Sequence, residues 1–274
     1  MPELPEVETV RRTLAPAIGA RITSAWTSGM GLHMGKRPPR ARLRGLVGAR
    51  ITGVRRHGKF LIVETDGDWV IVAHLGMTGR LRLCAADEPR AKHTHVVLGL
   101  GARDLRFVDA RRFGQVDVVA REPLGAHAGL AALGPDALES PRSGPALVEA
   151  AQGKRTPLKA FVLDQRVLAG MGNIYASEAL WRAQLPPQMP AERLSRPAAT
   201  RLAKAIREVL RRALDHGGTT LADFVAADGT EGNNADYLWV YGREGEPCPR
   251  CKAPIRRTVL QGRATYDCPR CQAA

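Results

Sequence analysis

The sequence predicts an α+β protein: an antiparallel sandwich or barrel-like domain carrying a packed first helix, then a helical domain, then a small metal ribbon. Three observations lead there. Short β-rich runs fill residues 50 to 119, helical periodicity takes over after about 157, and four cysteines close the chain as C-x2-C-x16-C-x2-C. At 274 residues the chain is long enough for two modest domains with hydrophobic cores of their own.

Taking the elements in order, Val7, Val10, Leu14 and Ile18 recur at helical spacing, so residues 4 to 18 read as an amphipathic helix ending near Gly19. From Arg50 to about Val119 come FLIVE, WVIVAHL, HVVLGL and VDVV, with Asp66-Gly67 as a hairpin cue between the first two. Residues 121 to 156 are rich in Ala, Gly, Pro and Ser, with weak helices near 128–133 and 145–151, and read as a linker. Helices follow at about 157–165, 173–183 and 195–214, and residues 216 to 240, full of Gly, Asp, Asn and Thr, read as a mobile loop. The expected domains are 1–125, 126–240 and 241–274.

The formal charge of +14 and pI near 10.3 point to a polyanionic partner, nucleic acid first and an anionic membrane surface second. Only seven of the 41 basic residues are Lys, so the position of a charge says more than the total. No apolar run reaches the eighteen or so residues of a membrane span, and the acidic start is unlike a signal peptide. A soluble, cytoplasmic, nucleoid-associated protein is expected.

Cys248, Cys251, Cys268 and Cys271 have the spacing of a zinc ribbon whose two knuckles complete one tetrahedral site. Four thiolates leave no open coordination position, so one structural Zn2+ is expected and no organic cofactor. Arg256, Arg257 and Arg263 between the knuckles suit a phosphate-facing hairpin, or simply a solvated basic one. Cys84 is left over as a small core residue.

Glu3, Glu6 and Glu8 are the only acids in residues 1 to 60, and they surround Pro2. Loss of Met1 would turn Pro2 into a terminal secondary amine with a pKa near about 8, a usable nucleophile beside carboxylates. While Met1 acylates it, that nitrogen has no nucleophilic lone pair. The same residues also make an ordinary helix start. Gly170-Met171-Gly172-Asn173 lies between two helices, where Asn173 can cap the second and free amides can hold an anion. His74-Leu75-Gly76-Met77-Thr78-Gly79 and Arg111-Arg112-Phe113-Gly114 place long side chains at turns. Met77 and Phe113 are residue types that wedge into an opened base stack, although burial tendencies alone favour the core for both. Lys59 and Lys159 are notable where lysine is rare, with plain surface charge as the alternative.

Taken together, PELPEVE at 2–8, HGKFL at 57–61, HLGMTG at 74–79, RRFG at 111–114, LDQRVLAGMGNIYASEAL at 163–180, VYGREGEPC at 240–248 and the cysteine ribbon resemble, in collinear order, the bacterial formamidopyrimidine-DNA glycosylase family. The resemblance implies a β-sandwich, a helix-two-turn-helix domain and a zinc finger, acting as a monomer on double-stranded DNA that carries oxidised bases or abasic sites. It implies that Pro2 attacks C1′ of the damaged nucleotide, that Glu3 serves as the acid at the sugar ring oxygen, and that Glu6 helps hold the lesion pocket. Lys59 and Arg263 complete the catalytic set as phosphate-gripping cations, Asn173 joins them, and His93, Arg112 and Lys159 contact DNA. Met77, Arg111 and Phe113 would fill the void left by the flipped nucleotide. An endonuclease VIII-like enzyme for oxidised pyrimidines and a catalytically silent damaged-DNA-binding protein are the alternatives. The chain departs from the family at Ala110, where proline is common, and in the loop 228–234, which lacks the aromatic residue often found after its second glycine.

Overall fold

The computed structural model describes residues 1–220 and 225–273. They fall into two compact units, residues 1–131 with 216–233, and residues 132–215 with the segment from 234 onward.

The first unit is a pair of four-stranded antiparallel sheets. One has the order β1-β6-β7-β5, built from β1 (Ser24–Thr27), β5 (Arg80–Ala85), β6 (Thr94–Gly99) and β7 (Arg103–Val108). The other has the order β2-β3-β4-β8, built from β2 (Ile51–His57), β3 (Phe60–Thr65), β4 (Trp69–His74) and β8 (Gln115–Ala120). The Asp66-Gly67 hairpin is present, with Val63 opposite Ile71. Helix α1 (Leu4–Thr13) ends earlier than the periodicity predicts, because Pro16 sits in a short 3-10 turn, Ala15–Ala17, that uncouples Ile18. Ile18 is therefore exposed, while Val7, Val10 and Leu14 are buried among Leu61, Val63, Phe107 and Val116. Each such aliphatic chain contributes about 1.5–3 kcal/mol. Strand β1 and helix α2 (Arg40–Gly45) lie in a stretch too short and arginine-rich to show a period. A four-residue helix α3, Ala128–Ala131, closes the first segment of the unit.

The segment 216–233 belongs to this unit, not to a free connector. Ala227 is part of the sandwich core, its N–H donates to Thr13 Oγ1, and its carbonyl accepts from Leu83. Asn233 N–H donates to the His216 carbonyl. The expected mobile loop thus has defined backbone partners on both sides of residues 221–224, which lie outside the described residues.

The second unit holds α4 (Gly144–Ala151), α5 (Leu158–Leu163), α6 (Asn173–Ala183), α7 (Arg196–Asp215) and the hairpin of β9 (Arg256–Leu260) with β10 (Arg263–Asp267). Helix α7 buries the stripe Leu202, Ile206, Val209, Leu210 and Ala213 and packs on α4 and α6. Ser143 caps α4 through its hydroxyl. No helix among the described residues is long and apolar enough to cross a membrane.

Candidate active site and nucleic-acid interface

In the first unit, the start of α1 is unusually polar for a buried helix end. Pro2, Glu3, Glu6 and Glu8 are all buried, Glu3 at 3% and Glu6 at 1% exposure. Glu3 is the N-cap in a reciprocal capping box: its side chain takes the Glu6 amide, and Glu6 Oε2 takes the Glu3 N–H at 2.7 Å. The other Glu6 oxygen accepts the Thr219 N–H at 2.8 Å. One carboxylate thereby fixes the peptide joining Pro2 to Glu3 and the turn at 218–219. Gly218 has φ +88°, and a Cβ there would crowd Glu6 at 3.1 Å, so only glycine closes this turn without strain.

Glu8 has a different task. Burial alone would raise its pKa, but hydrogen bonds from Arg11 and Arg12 and the charges of Arg11 and the buried Arg56 outweigh that and hold the carboxyl below the usual range. It anchors α1 on β2. The acidic start therefore divides into two carboxylates near Pro2 and one structural ion-pair hub.

Met77 and Phe113 are exposed, at 40% and 46%, contrary to the core tendency of their residue types. Arg111 and Arg112 are also exposed, and the Arg111 guanidinium lies 4.7 Å from the Phe113 ring centroid. The reason these side chains stand outside is a buried carboxylate that sequence reading missed. Asp109, fully buried, accepts from Thr78 Oγ1 at 2.5 Å and the Arg111 amide at 3.2 Å on one oxygen, and from the Gly114 amide at 2.7 Å on the other. The Met77 turn and the Arg111–Phe113 turn are tied to one group. Gly76 sits against the backbone of Phe113 and Gly114, where a Cβ would come within 2.5 Å, so the two turns are in backbone contact. Arg112 has φ +57°, a left-handed conformation costly for a long side chain.

His74 follows the same logic. Its Nδ1 accepts the Gly76 N–H at 3.0 Å, which leaves the ring proton on Nε2. Burial first, then the charges of Lys59 and His33, pull its pKa down to about 4. Lys59 is 8% exposed in the tight β2–β3 turn. His93 is exposed with φ +66°, and its carbonyl accepts the Asp109 N–H.

In the second unit, Lys159, Asn173 and Arg263 come together. Lys159 Nζ and Asn173 Nδ2 both donate to the Ala264 carbonyl, at 2.7 and 2.9 Å, one residue from Arg263. Lys159 also reaches Thr265 Oγ1 and is 1% exposed, so its charge is spent on seating the hairpin and is not a surface charge. A cavity of about 210 Å³ is lined by Lys159, Asp164, Gln261 and the exposed Arg263. Asn173 does not cap α6: Gly172, extended at φ −135°, is the N-cap, and Asn173 is the first helical residue with its side chain turned to the hairpin. Its Oδ1 is buried without a partner among the described residues.

Glu178, also missed from sequence, is fully buried on α6 and takes the consecutive amides of Trp239, Val240 and Tyr241 at 2.8–2.9 Å. Burial pushes its pKa up, against the lowering effect of those amides. It secures the segment entering the ribbon to the helix that carries Asn173. The signal for it is faint, an acid amid small residues inside LDQRVLAGMGNIYASEAL.

The sulfurs of Cys248, Cys251, Cys268 and Cys271 lie within 4.8 Å of one another. A tetrahedral zinc with Zn–S near 2.3 Å needs sulfurs about 3.8 Å apart, so the donor set and spacing fit the ion. The electrostatics also fit. Burial opposes ionisation of Cys248, but the amides of Cys251 and Arg250 and the Trp181 indole N–H bring its thiol down to about 6. Burial and the other three sulfurs push Cys271 up to about 12. Four thiolates cannot accumulate here without a compensating dication.

Residues 1–116 match the formamidopyrimidine-DNA glycosylase N-terminal domain, 133–225 the formamidopyrimidine-DNA glycosylase H2TH domain, and 245–274 the zinc finger found in FPG and IleRS. The formamidopyrimidine-DNA glycosylase of Methylococcus capsulatus is 46% identical, covering 99% of this chain and 100% of its own. That of Geotalea uraniireducens is 45% identical with the same coverage. Among solved structures, Lactococcus lactis Fpg bound to abasic-site DNA superimposes with a TM-score of 0.90 at 33% identity, over 99% of this chain and all of that one. MutM bound to DNA containing carbocyclic 8-oxo-G gives 0.89 at 33% identity over the full length of both. With three family models matched in order along it and relatives 45–46% identical over 99% of its length, the chain belongs to the formamidopyrimidine-DNA glycosylase family.

Proposed function

We propose that the chain is a bifunctional enzyme of base excision repair, a DNA glycosylase for oxidised purines that also cleaves the abasic strand. The glycosylase activity and the damaged-DNA partner follow from family membership. The observation that carries the lyase reading is the buried Pro2–Glu3 pair, whose connecting amide is held by Glu6.

In this reading removal of Met1 frees the Pro2 secondary amine. Its lone pair attacks C1′ while Glu3 gives a proton to the ring oxygen, the sugar opens, and the damaged base departs. The resulting iminium draws electrons from the sugar, so the C2′ proton is lost and the 3′ phosphate leaves; a second elimination releases the 5′ phosphate and a one-nucleotide gap remains. Glu6 does not transfer protons in this scheme; both its oxygens are occupied by amides, and it holds the amine-bearing peptide in place. Met77, Arg111 and Phe113 fill the vacated stack, which offsets part of the few kcal/mol that flipping costs. Lys59, His93 and Arg112 in one unit, and Asn173 and Arg263 in the other, grip the backbone, with Lys159 acting by seating the Arg263 hairpin. The three family matches, at 1–116, 133–225 and 245–274, favour three modules in the order proposed for 1–125, 126–240 and 241–274, although 216–233 packs with the first. A cytoplasmic enzyme working on the nucleoid is the corresponding location.

Borohydride trapping on a duplex with 8-oxoguanine opposite cytosine, followed by mass spectrometry of the N-terminus, tests this reading. A covalent adduct on Pro2 is expected, lost in Pro2→Gly and severely reduced in Glu3→Gln. Absence of an adduct from Met1-free protein, on that duplex and on an abasic one, refutes it. Faster excision of thymine glycol than of 8-oxoguanine would instead favour the oxidised-pyrimidine enzyme.

A further inference from the structure

The first unit contains a second basic cavity, of about 710 Å³, away from the helix start and lined by His33, Lys36, Arg37, Arg42, Asp117 and His127 among others. Lys36 and Arg37 are exposed and make no side-chain hydrogen bond or ion pair among the described residues. Arg42 is already engaged, donating to the Val118 carbonyl and lying 5.4 Å from the Trp69 ring centroid. The single carboxylate of the lining, Asp117, is held on Oδ2, which accepts from Gln115 Nε2 and lies 2.9 Å from His127 Nε2. Lys36, Arg37 and Arg42 against the one carboxylate of Asp117 leave the lining net positive.

His127 adds a built-in polar group. Its side chain is only 8% exposed, fixed by Asp117 on one nitrogen and by the Phe60 ring edge, yet its Nδ1 is buried with no hydrogen-bond partner among the described residues. A buried ring nitrogen without a partner costs about 1–3 kcal/mol. The cavity also adjoins the exposed turn described above, since the His33 N–H donates to the Gly114 carbonyl at 2.9 Å, next to Phe113.

We propose that this cavity seats a phosphodiester of the duplex beside the Arg111–Phe113 turn, with Lys36 and Arg37 at its rim and His127 at its wall. The proposal rests on the DNA glycosylase reading for the presence of the duplex, and it assigns a backbone contact to residues outside the family motifs. It also gives a task to the arginine-rich segment around 33–42, which has no other one in the repair scheme.

The test uses full-length, zinc-loaded protein and a duplex bearing an uncleavable tetrahydrofuran abasic analogue. Loss of one seated phosphate should weaken binding about equally across sequences and reduce the slope of log K against log salt by about 1. Lys36→Glu/Arg37→Glu is expected to do so, and so is His127→Asn in lesser degree. A purely diffuse field effect would leave His127→Asn at wild-type affinity and overturn the seated contact. In ring-nitrogen NMR of histidine-labelled protein, the His127 Nδ1 signal should move with the duplex. Inorganic phosphate at matched ionic strength distinguishes the source. A shift with the duplex alone assigns the site to the continuous strand, and a shift with both supports the same phosphate chemistry. A shift with phosphate alone marks a free-phosphate site and overturns the strand assignment, and a shift with neither overturns the site. If the wild type itself fails to trap, the lyase reading fails; if it traps and the variants keep wild-type affinity and slope, only this inference fails.

Discussion

Asp109→Asn tests whether one buried carboxylate holds both exposed turns in place. Asp109 accepts three hydrogen bonds, from Thr78 Oγ1, the Arg111 amide and the Gly114 amide. Asparagine has a similar shape but presents an NH2 in place of one oxygen. If that NH2 replaces Oδ2, it meets the Gly114 N–H, and a buried donor is stranded at a cost of about 1–3 kcal/mol. The remaining bonds change from charged to neutral acceptors, weakening each by about 1 kcal/mol. Relief from burying a charge offsets part of this, and a net loss of about 3 kcal/mol is expected. Because the penalty falls on two turns, it should appear as local opening. Native-state hydrogen exchange at Gly114 and Arg111 should show protection falling by about a hundredfold, the equivalent of that energy. A 2-aminopurine placed next to the lesion should report weaker opening of the stack at saturating enzyme. Unchanged exchange at both amides, with unchanged fluorescence, would refute the idea that Asp109 organises the turns.

Removing zinc with a chelator, or Cys248→Ser, should unfold the ribbon hairpin and release the Arg263 turn, read as loss of duplex binding with α7 helicity retained by circular dichroism. Glu178→Ala strands one buried and two partly buried amides and should shift the ribbon's tryptophan-fluorescence transition to lower urea, whereas Glu178→Gln should shift it less. His74 has a folded pKa near 4 against 6.5, so the unfolded chain binds the extra proton between those values. Its contribution is complete above pH 6.5 and is lost as pH falls toward 4, by at most about 3 kcal/mol. Glu178, shifted upward, gains stability as pH falls and works in the opposite sense. Urea titrations of wild type and His74→Asn across this window should show a shallower pH dependence in the variant; identical slopes would refute the assignment.

Much of this protein is legible in its sequence because the relevant physics is local or periodic. The ribbon follows from the four-cysteine spacing alone, α6 and α7 from apolar period, and the β3–β4 hairpin from Asp66-Gly67 between two apolar runs. The buried start at Pro2, Glu3 and Glu6 is also visible, since acids so concentrated in a basic segment need a reason. Strand β1 and helix α2 are not, because four to six residues cannot display a period that sidechain composition does not enforce.

What only the tertiary structure decided is which polar groups face one another. Residue type alone favours the core for Met77 and Phe113, yet Asp109 gathers amides from two turns far apart in sequence and leaves both side chains outside. Glu8 looks equivalent to Glu6 in the sequence, yet Arg56, forty-eight residues away, makes it an ion-pair hub. Lys159 is expected at the DNA, with plain surface charge as the alternative, but the Ala264 carbonyl draws it inside. Spacing along the chain determines ligands and periods; hydrogen-bond partners, and therefore the task of each charge, are set by chain crossings that no local pattern encodes.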